Sequence, residues 1–118
     1  MKIKALSKKN SWSLPEQETL KAEYAQGKKA GEIRLGDNFL FYRPFLWIKC
    51  IPLNEIANLY LKVEFGESGD VPVHEHYIRI KTKQGEEFTL RLDRADDAKR
   101  VLSLLENNSF GIELKKWV

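Results

Sequence analysis

Apolar side chains recur at every second position through much of the stretch between Ile33 and Leu92, and this period of two is what most restricts the chain's possible folds. Leu59, Leu61, Val63 and Phe65 alternate with Tyr60, Lys62 and Glu64, the pattern of a strand with one buried and one wet face. Ile33 and Leu35 alternate with Glu32 and Arg34. Ile78 and Ile80 match Phe88, Leu90 and Leu92 across Gln84-Gly85, which has the chemistry of a tight hairpin turn. With residues 39–43 and 45–51, the pattern predicts six strands. They are separated by Gly36-Asp37-Asn38, Pro44, Pro52 with a short turn over residues 53–56, and an acidic loop over residues 66–72.

Two segments change period. Ser13-Leu14-Pro15-Glu16 reads as a helix start, with Ser13 as cap and Glu16 completing a capping box, and Gly27 is its stop. Leu20 and Tyr24 give that helix one narrow apolar stripe. Near the other end Asp93 is expected to cap a helix, with Asp96 completing the box. Ala98, Val101, Leu102 and Leu105 share one face, and Asn107 and Asn108 end it. At 118 residues one domain is expected over residues 1–118. Residues 1–30 read as a basic arm with a short helix, and residues 31–118 as the strand-rich body with its C-terminal helix. Ile3 and Ala5, between lysines, allow an edge strand within residues 1–6. The expected class is α+β, an antiparallel barrel or curved sheet of six to seven strands capped by a C-terminal helix.

Gly31-Glu32-Ile33-Arg34-Leu35, Phe39-Leu40-Phe41 and Ile51-Pro52-Leu53-Asn54-Glu55-Ile56, followed by a hairpin and a helix over residues 82–108, resemble the bacterial pleckstrin-homology-like families. The resemblance implies their fold, seven strands and a C-terminal helix, over residues 31–108. It implies no activity. Phosphoinositide-binding members carry a lysine in the first strand and a basic-x-Arg pair in the second. This chain has Arg34 in the first strand and Arg43 near the end of the second, so that motif is absent.

Composition excludes more than it indicates. Charged residues make up 31% and the net charge is +3, a mixed balance that gives no argument for specific nucleic-acid binding. Cys50 is the one cysteine, so neither an internal disulfide nor a multi-thiolate zinc site can form. Residues 1–10 lack the apolar run of a signal peptide, no run approaches the ~20 residues of a membrane span, and a cytoplasmic setting is expected. His74 and His76 are two apart, but spacing supplies no third zinc ligand, so they read as surface or loop-edge histidines. Cys50 shares a strand face with Leu46 and Ile48 and is expected to be buried in the barrel, not nucleophilic. Glu86-Glu87 lies in a hairpin and Asp96-Asp97 at a helix N-terminus, positions that carboxylates occupy without catalysis. No catalytic, cofactor-binding or metal-ligating residue is expected.

What remains is an apolar surplus. Along residues 45–51, Leu46, Ile48 and Cys50 take one face while Phe45, Trp47 and Ile51 take the other with Lys49, and one barrel interior cannot bury both. Either the N-terminal helix covers Phe45 and Trp47 through Leu20 and Tyr24, or this set contacts a partner or a second copy of the chain. Lys8, Lys9, Lys28 and Lys29 are candidates for weak contact with an anionic surface. The expected function is a non-catalytic protein-interaction or regulatory module. The alternatives are a peripheral-membrane or small-ligand-binding adaptor and, third, a small enzyme.

Overall fold

The computed structural model describes residues 2–10, 12–68 and 71–115. The order of elements is β1 (Ile3–Ala5), α1 (Gln17–Gln26), β2 (Lys28–Ala30), β3 (Ile33–Leu35), β4 (Phe39–Tyr42), β5 (Ile48–Pro52), a 3-10 turn (Leu53–Glu55), β6 (Ile56–Ser68), β7 (Val71–Thr82), β8 (Glu87–Leu92), α2 (Ala95–Leu104) and β9 (Glu113–Lys115). The class is α+β, in two sheets. The first has five strands in the order β1-β5-β4-β3-β2, the second four in the order β8-β7-β6-β9. The described residues form no closed barrel.

Among the described residues nine strands replace the expected six to seven. Ile3–Ala5 is a strand, but it pairs parallel with β5. β2 and β9 carry one apolar residue each, Ala30 and Leu114, so neither displays a period. Gly31, at φ 61°, closes the two-residue turn between β2 and β3. The acidic loop is also revised: β6 and β7 stay paired through Gly66↔Val73 to Ser68↔Val71, and Gly69 and Asp70, at its centre, lie outside the described residues. Residues up to 30 are not an arm, because β1 and β2 are the two edges of the first sheet and Leu6 and Trp12 pack on the main core.

That core lies between the sheets. Leu40, Tyr42 and Ile51 of the first sheet meet Leu59, Leu61, Ile78, Ile80 and Leu90 of the second. Ala98, Val101, Leu102 and Leu105 of α2 are buried against both, the helical stripe expected from spacing. At roughly 1.5–3 kcal/mol per fully buried aliphatic side chain, this stripe is a main stabilising contact. The Tyr42 hydroxyl donates to the Arg91 carbonyl at 2.9 Å, tying β4 to β8. Neither helix uses the expected cap. Glu16 and Arg94 hold the N-cap positions, and neither makes a side-chain capping bond.

A second, smaller core lies on the far side of the first sheet, where Leu20 of α1 is buried with Ile3, Phe41, Ile48 and Cys50. Here the expected placement is reversed. The alternation along β5 holds, but Ile48 and Cys50 face α1 while Ile51 points into the main core. Tyr24 packs on Phe41 with ring centroids 5.4 Å apart, and not on Phe45 or Trp47. Two polar clamps fix α1. The Gln17 amide accepts from the Ile3 N–H (2.7 Å) and donates to the Ile3 carbonyl (2.8 Å). Glu23 accepts from the Phe39 and Asn38 N–H groups at 2.8 and 3.2 Å.

Leu20→Ala is expected to destabilise the chain by about 2–5 kcal/mol, the usual range for emptying a fully buried leucine site. Leu46→Ala, at an exposed leucine, should stay within about 0.5 kcal/mol of wild type. Urea unfolding of both variants checks the assignment, and equal losses would refute it.

Candidate docking surface

Pro44 has no N–H to continue a ladder, and the chain between β4 and β5 leaves the sheet as the loop of residues 43–47. Its tip is apolar. Phe45 is 74% exposed, Leu46 64% and Trp47 45%, and these are the exposed large hydrophobic side chains among the described residues. Single exposed apolar residues are ordinary, but three in succession on a projecting turn are not. Trp47 stands edge-on to Tyr42, ring centroids 6.2 Å apart, and the Lys49 ammonium lies 4.8 Å from the Trp47 ring centre, a cation–π contact. Arg43 braces the turn by donating from Nε to the Phe45 carbonyl at 3.3 Å.

The tip is flanked by basic recesses on both sides of the sheet. One, of about 510 Å³, is lined by Lys4, Lys8, Lys9 and Lys49 with Ser7 and Asn10. Register explains half of it, because the parallel β1–β5 pairing sets Lys4 beside Lys49. Beyond β1 the Ser7 hydroxyl donates to the Glu86 carboxylate at 2.8 Å and accepts from the Lys9 and Asn10 N–H groups, so Lys8 and Lys9 close the recess at its end away from the tip, beside the β7–β8 turn. On the α1 side, a recess of about 390 Å³ is lined by Lys21, Arg34 and Arg43 with Tyr24. Arg34 stacks on the Tyr24 ring at 4.3 Å and donates to the Tyr24 carbonyl. Among the described residues no carboxylate lines either recess. The ion pairs found among those residues, Lys62–Glu64, Arg79–Glu87 and Arg91–Glu75, all lie on the second sheet.

Of the residues singled out in the sequence, Phe45 and Trp47 come together at this tip. Ile51 and Leu20 do not join them, each being wholly buried in a different core, and Tyr24 is half-buried behind Phe41. Leu46, expected on the buried face with Cys50, is at the tip instead, because the strand begins only at Ile48. Lys8 and Lys9 border the tip's recess. Lys28 and Lys29 lie on β2, at the opposite edge of the sheet, so these four lysines form no common surface. Lys49 was grouped with Phe45 and Trp47 in the sequence, but the nearness of Lys4 and Lys21 to the loop was not legible there, because the β1–β5 pairing and the seating of α1 bring them to it.

Elsewhere the chemistry is dispersed. His74 and His76 lie on β7, and among the described residues no three His, Cys, Asp or Glu side chains converge as a metal site. Cys50 is buried, as expected, but beneath α1 and not in the main interior. Burial, and secondarily the Glu23 carboxylate, push its thiol up to about 12. Burial likewise raises Tyr42, and a hydrogen bond to Glu75 raises Tyr77. These groups share no cavity. A cleft of about 660 Å³ lies against α2, walled by Leu61, Leu102, Ile112 and Leu114, with Lys99 and Glu106 among its polar residues. Among the described residues no helix is long and apolar enough to cross a membrane.

No protein-family model, curated protein or solved structure matches this chain, so its functional reading rests on this geometry.

The raised thiol has a consequence for stability. In the unfolded chain Cys50 ionises near 9, while in the native fold it stays protonated to about 12, so above about 9 the native state holds the extra proton. The contribution is intact below that pH and is lost as pH rises toward 12, by at most about 1.4 kcal/mol per pH unit. Comparing urea unfolding of wild type and Cys50→Ala at about pH 8 and about pH 10 should show the smaller drop in the variant. The native thiol should also react with a soluble disulfide reagent only as fast as the fold opens. Labelling within seconds would contradict this burial.

Proposed function

We propose that this chain is a non-catalytic binding module of pleckstrin-homology-like type that docks through the β4–β5 tip. The observation that carries the reading is the exposure of Phe45, Leu46 and Trp47 in succession, the exposed large apolar side chains among described residues that otherwise build two cores. Burying such side chains is worth roughly 1.5–3 kcal/mol each, which folding alone leaves unrealised here and a bound surface can recover.

The pleckstrin-homology-like assignment is supported by the order of elements: β2 to β5 and β6 to β8 pair antiparallel in two sheets, with β1 and β9 added parallel at their edges, and an amphipathic helix follows β8 and packs against both sheets. The non-catalytic reading is supported by the scatter of the perturbed groups, since Cys50 is sealed under α1 while Tyr42 and Tyr77 bond to other partners. A cytoplasmic setting suits a buried, unpaired thiol. A small-ligand reading draws on the apolar cleft beside α2. It is the weaker of the two, because the tip combines exposure with a concentrated charge of one sign.

A photo-crosslinking residue placed at Leu46, in the full chain expressed in its native cell, tests the proposal. It should form adducts with a component other than solvent, well above those from the same residue at Lys83, an exposed position in the β7–β8 turn. Phe45→Ser should reduce them at unchanged melting temperature. Adducts no more frequent at Leu46 than at Lys83 would remove the tip from consideration.

A further inference from the structure

Resting on the docking reading above, we infer that the surface met by the β4–β5 tip is an anionic lipid bilayer, with Phe45, Leu46 and Trp47 entering its interfacial layer and the flanking lysines and arginines meeting its headgroups. The argument begins with shape. Three consecutive residues on a turn fan outward, so a rigid partner needs a socket cut to all three at once. The fluid boundary between headgroups and acyl chains accepts any such fan, and it favours tryptophan in particular.

Charge points the same way. Lys4 and Lys49 lie on one side of the sheet at this end, and Lys21, Arg34 and Arg43 on the other. The tip therefore leads with apolar groups and carries cations on both flanks, and no carboxylate lines the two recesses among the described residues. Cations near an anionic leaflet add attraction one by one, an effect confined to within a Debye length of the surface. Lys49 joins the two elements directly, because its ammonium lies over Trp47 while it lines the lysine recess.

Single-stranded nucleic acid would meet the same charge, but the centre of the tip is Leu46, whose aliphatic side chain offers no face for base stacking. A second copy of the chain would present the same cations and repel the first. The phosphoinositide strand motif is not required, since the attraction comes from a distributed basic surface and not from one headgroup pocket.

The test uses the full chain and vesicles of neutral lipid with or without about one-third phosphatidylglycerol. Wild type should sediment with the anionic vesicles at low salt, much less at moderate salt, and not with neutral ones. Lys4→Gln with Lys21→Gln should weaken binding roughly thirty-fold, at about five-fold per charge near the surface. Phe45→Ser with Leu46→Ser should weaken it at least about ten-fold with an unchanged thermal melt. An environment-sensitive dye on Leu46→Cys, which the buried Cys50 leaves as the reactive thiol, should shift to the blue on anionic vesicles, while the same dye on Lys83→Cys should not.

Failure to sediment with anionic vesicles at low salt overturns the lipid assignment. So does sedimentation without a spectral shift at position 46, which would mean adsorption through lysines alone. A larger shift with a single-stranded oligonucleotide, or a dimer dissolved by the tip variants, overturns it in favour of those occupants. If Leu46 cross-links to a protein and vesicles are not bound, the docking reading survives and the lipid one does not. If neither occurs, both fall.

Discussion

β4 and β5 are buried on two sides at once, and the other features of the molecule follow from that burial. Leu40, Tyr42 and Ile51 need a cover on one side, Phe41, Ile48 and Cys50 on the other. The second sheet with α2 supplies the first, and α1 the second. The ten-residue α1 buries only Leu20 fully and is too short to be stable alone in water. It holds because the sheet offers Phe41 and because Gln17 and Glu23 satisfy backbone groups that would otherwise be exposed at Ile3 and Phe39. The dependence is mutual, since without α1 the sheet would show water an apolar face centred on Phe41.

The tip is what this double covering leaves out. Both covers end before residues 45–47, so the loop projects past the main core on one side and past α1 on the other, with Trp47 held against Tyr42 and Lys49 at its root. The same arrangement gathers charge. The N-terminal strand, parallel to β5, carries Lys4 to Lys49, while α1 and β3 contribute Lys21 and Arg34. An apolar point with basic shoulders thus arises from elements that are distant in the chain.

Much of the fold was legible before any coordinates. The strands of the Ile78–Leu92 hairpin, the turn at Gly85, the stop at Gly27 and the stripe of α2 all follow from local rules, and each stands in the structure. The strands β2 and β9 were not legible, because Lys28-Lys29-Ala30 and Glu113-Leu114-Lys115 show one apolar residue each and no period. The docking surface was half legible. The aromatic character of Phe45 and Trp47 is plain in the sequence, whereas Ile51 was grouped with them by a face assignment that the structure reverses, and Leu20 and Tyr24, expected over Phe45 and Trp47, pack on Phe41 instead.

That reversal marks the boundary between the two kinds of information. Alternation along β5 is a property of neighbouring residues, so sequence alone settled which side chains travel together: Ile48 with Cys50, and Lys49 with Ile51. Both sets are largely apolar, so nothing local distinguishes an interior face from one waiting for a helix. Tertiary structure made that choice, through the non-local pairing of β1 with β5 and the seating of Leu20 on Phe41. By placing β5 so, it also left Phe45, Leu46 and Trp47 beyond the reach of either core.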